Sequence, residues 1–171
     1  AACGRVCRVG LVEVLGVATG ALCVWLAVRQ RVETFPVGIA NNVVFFVLFV
    51  PAGLYADAGL QVVYLVLAVL GWRWWLVAGP DRTPLRPART PLRAVPCLAA
   101  GLALGTAVLW LLLDRGTDST VPFWDAATTA LSLTAQLMLN RKWLENWCVW
   151  IAADVLYVGL FVHKELYLTA V

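Results

Sequence analysis

The chain has 171 residues, of which 62% are hydrophobic and 13% charged, with a formal net charge of +3. Soluble domains are nearer half apolar and a quarter charged, so this composition excludes an ordinary water-soluble globule. A mean hydropathy of +0.83 points instead to lipid as the solvent. Six apolar segments follow in chain order, at 9–28, 37–55, 60–78, 95–113, 123–139 and 147–162. Each is close to the ~17–25 residues that a bilayer demands of a helix. The runs lack the alternation of a barrel strand, and lipid leaves no backbone group unsatisfied, so all six are expected to be helices.

The first segment is too long for a signal peptide, has no clean cleavage pattern, and is followed at once by another span. The chain starts at Ala1 and stops at Val171, where a new apolar run begins. Both ends are therefore expected to be cut, with a further helix after Val171. The second segment carries Asn41 and Asn42, then Phe45, Phe46 and Phe49. The third carries Asp57, Gln61 and Tyr64, spaced four and three, on one helical face.

The stretch 79–93 is rich in proline and arginine and reads as an extended connector. The fourth span and the polar stretch 114–122 follow it. In the fifth span Asp125, Thr129, Ser132, Gln136 and Asn140 fall on one face. A polar stripe through a lipid-spanning helix must face protein or water. The sixth carries Asn146, Trp150 and Asp154 at four-residue spacing, with Trp147 beside them and Tyr157 one turn on.

Loop charge orients the bundle. Nine basic residues fall on one face, among them Arg29, Arg73, Arg82, Arg93, Arg141 and Lys142, and four on the other. The richer face is expected to be cytoplasmic, with the N-terminus of this core outside. Topology thus accounts for the basic loops, and no stripe of aromatics and arginines suggests a nucleic acid. The five cysteines, at 3, 7, 23, 97 and 148, have a single histidine for company, His163, so no metal site is expected.

Shifted by 112 positions, 29–40 falls on 141–152. Arg29 meets Arg141, Glu33 meets Glu145, Val37 meets Val149, and Ile39-Ala40 meet Ile151-Ala152. Phe35 falls on Trp147 and Asn42 on Asp154. One intervening span restores the chain direction, so the two halves run parallel. Transporters built this way hold substrate near the midplane, where the repeats meet.

Plainer explanations compete for several of these side chains. Thr129 and Ser132 each read first as helix-packing contacts. Trp72, Trp74, Trp75, Trp124 and Trp143 sit at span ends, where an interfacial aromatic belt is expected. Trp147 fits belt or binding equally, whereas Trp150 lies deeper, on the Asp154 face. Asp154 is ~12 Å along the helix axis from Asn146, and a carboxylate at that depth needs a partner or water. Asn42 is the simple partner. Taken together the residues describe a small cavity with aromatic walls and amides and one carboxylate at its base. Flat aromatic faces suit a flat ring and attract cations, and amides suit hydroxyls. A nucleoside or a ring-bearing vitamin fits that chemistry.

"PFWD" at 122–125, "RKWLENWCVW" at 141–150 and "LYADAGLQVVY" with "GWRWW" at 54–75 strongly resemble the PnuC family of bacterial vitamin transporters, over nearly the whole chain. The resemblance implies an all-α polytopic membrane helix bundle of three-one-three plan, like the sugar-transporting SWEET proteins: two parallel three-helix repeats joined by a linker helix. On that plan 1–79 is the first repeat, 80–116 the cytoplasmic connector and linker helix, and 117–171 a second repeat lacking its last helix. It implies a homotrimer in the bacterial inner membrane, and import of nicotinamide riboside by facilitated diffusion, trapped in the cytoplasm by phosphorylation. Asn146, Trp147 and Trp150 carry over as substrate contacts, with Gln136 and Gln61 as polar contacts. Asp154 stands where the family often has Asn, and Phe35 where a Trp or Tyr is expected.

The substrate-binding set expected is therefore Trp150, Trp147, Asn146, Asp154, Gln136, Gln61, Asn42 and Tyr64, with no catalytic residue and no cofactor. The chain has no phosphate-cradling glycine loop for ATP. Transport of thiamine or another ring-bearing vitamin or nucleoside, with or without ion coupling at Asp154, is the alternative. A membrane-embedded enzyme would need a second ionisable group beside Asp154. A non-transport membrane subunit would leave the polar stripe of the fifth span unexplained.

Overall fold

The computed structural model describes the backbone of residues 2–51, 55–79, 83–116 and 121–163, and the side chains of 15–51, 58–79, 83–116 and 121–159. Among them the chain forms six α-helices: α1 (Ala2–Val28), α2 (Thr34–Phe49), α3 (Tyr55–Val77), α4 (Val95–Gly116), α5 (Pro122–Asn140) and α6 (Asn146–His163). A single 3₁₀ turn, Leu92–Ala94, leads into α4. The all-α expectation holds, and each helix overlaps one apolar run.

The second span ends earlier than the sequence expectation. The apolar run 37–55 contains a break: α2 ends at Phe49, and Val50 closes it with a bond to the Phe46 carbonyl. Pro51 follows. Proline has no N–H to continue the ladder. Hydropathy alone does not register that stop.

The chain divides into two compact units, Ala1–Leu85 and Arg86–Val171. In the first, α2 packs on both α1 and α3. Gly16 lets α1 and α2 approach, since a Cβ there would lie 2.7 Å from the Phe45 ring. Asn41 then ties the helices, donating from Nδ2 to the Gly16 carbonyl at 2.9 Å and to Thr19 Oγ1 at 2.7 Å. One turn from the α1 end, Thr34 Oγ1 donates to the Cys23 carbonyl at 2.9 Å. At the far end of α3, Trp75 is 2% exposed and meets Phe35 edge-to-face at 4.9 Å. Trp75 is therefore a core residue of this unit and not a belt residue. Its place at a helix end hides that α2 begins beside it.

In the second unit α5 packs between α4 and α6. Over 126–135 its buried face is made of small residues, Ala126, Thr128, Ala130, Ser132 and Ala135. Small side chains bring helix backbones close, which is how helices gain packing energy where lipid removes the hydrophobic drive. Gly105 of α4 meets Ala130 in this way, at 3.8 Å for an added Cβ. Thr128 and Thr134 return their hydroxyls to carbonyls four residues back, so neither leaves a polar group bare. Trp110 and Phe123 join the end of α4 to the start of α5, 6.3 Å apart and edge-on.

The outward surfaces are apolar. α4 has no buried residue, yet Leu104 and Leu112 are more than 60% exposed. Ala58–Val77 and Leu92–Gly116 are each long and apolar enough to cross a membrane. A helix with such residues on its open face is built for lipid or for another apolar surface, since water would penalise it.

The turns α1–α2 and α5–α6 share one design. Each helix ends in a Schellman motif: Gln30 N–H donates to Ala27 O at 3.0 Å and Arg31 N–H to Leu26 O at 2.9 Å. Lys142 N–H donates to Leu139 O at 2.9 Å and Trp143 N–H to Met138 O at 3.0 Å. The re-entry bonds also correspond, Thr34 N–H to Arg31 O and Asn146 N–H to Trp143 O, both 3.2 Å.

Candidate functional site

The candidate residues of the second unit lie on α6 and on α5. Asn146 opens α6 and is 2% exposed. Its Nδ2 turns back to donate to the Trp143 carbonyl. Its Oδ1 is buried and has no hydrogen-bond partner among the described residues. A buried acceptor left open costs free energy until a donor reaches it, so this oxygen is ready for a ligand N–H or O–H or a water.

Trp147 and Trp150 are half-buried, one turn apart. Each can show part of an indole face to a flat ring. Four residues beyond Trp150, Asp154 is exposed, while Ala153 is fully buried. Helix geometry explains the progression. Each step of four residues advances ~40° around a 3.6-residue helix, so the row 146, 150, 154 spirals away from α5. Asp154 thus lies on the same row as Asn146 but outside the α5–α6 interface. It forms no ion pair or hydrogen bond among the described residues.

On α5, Gln136 is half-buried and donates from Nε2 to Asn140 Oδ1 at 3.2 Å. Its own carbonyl oxygen is the acceptor it can offer a hydroxyl. Asn140 and Ser132 from the predicted stripe are buried against the unit, and Thr129 and Asp125 are half-buried. The stripe therefore serves helix packing at Ser132 and Asn140, and only Gln136 of its deeper members keeps partial access.

In the first unit, Gln61 and Tyr64 are half-buried on α3, and Asn42 is half-buried on α2. Asn42 makes no hydrogen bond among the described residues, whereas its neighbour Asn41 is committed to α1. Tyr64 is already engaged in an interaction within the protein.

Two groups beside the site were not singled out by their sequence pattern. Glu145, one residue before α6, accepts from Thr90 N–H and Thr90 Oγ1, each at 2.7 Å. Those bonds, the hydroxyl first, hold its carboxyl below the usual carboxylate range. Lys142 is 9% exposed, and burial pushes its ammonium below the usual lysine range. The sequence signals for Glu145 were its alignment with Glu33 and its place in the RKWLENWCVW stretch. Among the described residues no three His, Cys, Asp or Glu side chains gather as a metal site would require.

The site can be set beside known proteins. A family model described as nicotinamide mononucleotide transporter matches residues 10–171. The nicotinamide riboside transporter PnuC of Escherichia coli K12 is 27% identical over 184 residues, covering 91% of this chain and 76% of that protein. The protein of the same name from Shigella flexneri gives the same figures. The one from Neisseria mucosa is 22% identical over 151 residues, covering 84% of this chain and 56% of the relative. A crystal structure of the vitamin B3 transporter PnuC superposes with a TM-score of 0.70 at 20% identity, over 89% of this chain and 67% of that one, a likeness of fold. With the family model spanning nearly the whole chain and every named relative a transporter, this chain belongs to the nicotinamide mononucleotide transporter (PnuC) family, as a multi-pass membrane transporter and not an enzyme.

Proposed function

We propose that this protein imports nicotinamide riboside across the bacterial inner membrane by facilitated diffusion, with uptake made one-way by phosphorylation in the cytoplasm. The observation that carries the reading is the start of α6: two half-buried indoles one turn apart, beside a buried amide oxygen with no partner. The indoles suit a pyridine ring, and amides suit ribose hydroxyls. The relatives named for the same substrate support it. Trp147 and Trp150 would stack the ring. Asn146, Gln136, Gln61, Asn42 and Tyr64 would supply polar contacts, and Asp154 would face the positive charge.

The reading includes a three-one-three plan, with 1–79 and 117–171 as parallel repeats and 80–116 as connector and linker. The matched turns 112 positions apart support the duplication. It includes a homotrimer, and the basic loops in the cytoplasm. A thermal-shift screen of the full-length protein against nicotinamide riboside, thiamine, riboflavin and uncharged nucleosides tests it. Nicotinamide riboside should give the largest stabilisation. A larger shift with thiamine would overturn the assignment in favour of the second reading, a thiamine carrier. What favours that reading is the exposed carboxylate of Asp154 where the family often has an amide.

A further inference from the structure

The connector carries the pentapeptide Arg-Thr-Pro-Leu-Arg twice, at 82–86 and 89–93. From Thr83 on, the first copy folds onto the end of α3. Gly79 N–H donates to Thr83 O at 2.9 Å and Leu85 N–H to Trp75 O at 3.0 Å. A Cβ on Gly79 would stand 2.6 Å from that Thr83 oxygen, so only glycine allows the return. The second copy and the residue before it close on the turn between α5 and α6. Ala88 N–H donates to Lys142 O and Leu144 N–H to Ala88 O, both at 3.0 Å, as a short parallel bridge. Thr90 then gives both its N–H and its hydroxyl to one oxygen of Glu145.

This clasp is not what shapes the turn. The turn at 29–33 makes the same Schellman bonds, and no extended segment lies along it among the described residues. Its equivalent carboxylate, Glu33, pairs with Arg31 at 3.1 Å instead. The clasp grips the residue immediately before Asn146. The first turn of α6 closes on the same residue, with Cys148 N–H to Glu145 O at 3.1 Å and Val149 N–H to Glu145 O at 3.4 Å, beside Trp147 N–H to Leu144 O at 3.4 Å. Side chains on such a turn are only as well placed as whatever holds its start.

We infer that Thr90 and Glu145 are positioning residues: their clasp orients the first turn of α6, and with it Asn146 and Trp147, for the substrate. The inference rests on the α6 site proposed above. A site held ready in its bound geometry loses less entropy on binding, so releasing the clasp weakens binding more than it slows turnover.

The test is uptake of nicotinamide riboside by the full-length protein in cells, with surface level and melting temperature measured alongside. Thr90→Val keeps the backbone N–H and removes the hydroxyl donor. It should raise KM about three- to tenfold, the scale of one ordinary hydrogen bond's net contribution, with maximal rate and melting temperature near wild type. Thr90→Ser should restore KM, and Glu33→Gln, at the unclasped turn, should leave it unchanged. Wild-type KM in Thr90→Val, or an equal rise in Glu33→Gln, would overturn the inference. Hydrogen exchange of the purified protein without substrate gives a second measurement. In Thr90→Val, amides 146–149 should exchange several-fold faster than in wild type, and unchanged protection there would also overturn it. If the wild type takes up no nicotinamide riboside, the transport reading fails, and the exchange result still decides the clasp.

Discussion

Gln30 and Lys142, 112 positions apart, are the two non-glycine residues with positive φ among the described residues, at 55° and 54°. Both occupy the position where a Schellman motif takes a left-handed residue, most often glycine. Neither side chain is one that favours this region, so each turn holds strain that its hydrogen bonds offset. The same local solution recurs at the offset that sets Arg29 over Arg141 and Glu33 over Glu145, which supports the proposed repeat.

Strain at these two turns should show in stability. Valine at 30 or 142 should cost about 1–2 kcal/mol more than glycine at the same position, because a β-branched side chain meets the backbone there. Thermal unfolding of the purified variants in detergent measures the difference. Equal melting of the glycine and valine variants would show that neither turn depends on the left-handed residue.

Burial separates two tryptophans of α3. Trp75→Ala removes a ring packed against Phe35 and should destabilise by about 3–5 kcal/mol. Trp72 is 36% exposed. Its alanine variant should stay within about 0.5 kcal/mol of wild type. If the Trp72 variant proves the more damaging, the α2–α3 packing described above is wrong.

The Glu145 carboxyl sets a pH window. Its folded value is depressed, chiefly by the Thr90 hydroxyl and then by the Thr90 amide. The group therefore adds stability above its unfolded value of ~4.3, and that stability is lost as pH falls through the lower folded value. Hydrogen-exchange protection at Ala88 and Thr90, corrected for intrinsic rates, should be flat from neutral pH down to the ordinary carboxylate range. It should disappear only below that range. Thr90→Val should move the loss upward in pH, and loss of protection already near neutrality would contradict the assignment.

Trp150 and Asp154 should separate stacking from charge. Trp150→Ala should weaken nicotinamide riboside binding by about 1 kcal/mol or more, the scale of one aromatic contact. Asp154→Asn should weaken binding of the cationic riboside about tenfold and leave an uncharged nucleoside nearly unaffected. Isothermal titration of both ligands against both variants checks this. An Asp154→Asn protein that binds the two ligands as wild type does would remove the carboxylate from the site.

Length and hydropathy were enough to find the helices, because a membrane helix is a local, one-dimensional pattern of apolar residues. The offset of 112 was legible for the same reason, through identities at 29, 33, 37, 39 and 40. The second apolar run missed its end because hydropathy averages side chains over a window and does not register the backbone N–H that Pro51 lacks. The site row Asn146, Trp150 and Asp154 was visible as spacing, but spacing could not show that it turns away from α5 within two turns.

The sequence by itself determined a lipid-embedded all-α chain, its helix runs and the residue types that could hold a ring. Only the tertiary structure decided which side chains are spent on packing, as Asn41, Ser132 and Trp75 are, and which keep access, as Trp150 and Asp154 do. It also decided that a proline-rich connector is clasped at Thr90 by a carboxylate 55 positions away. Helix formation depends on near neighbours, whereas burial and pairing depend on which distant segment arrives alongside, and no local pattern encodes that arrival.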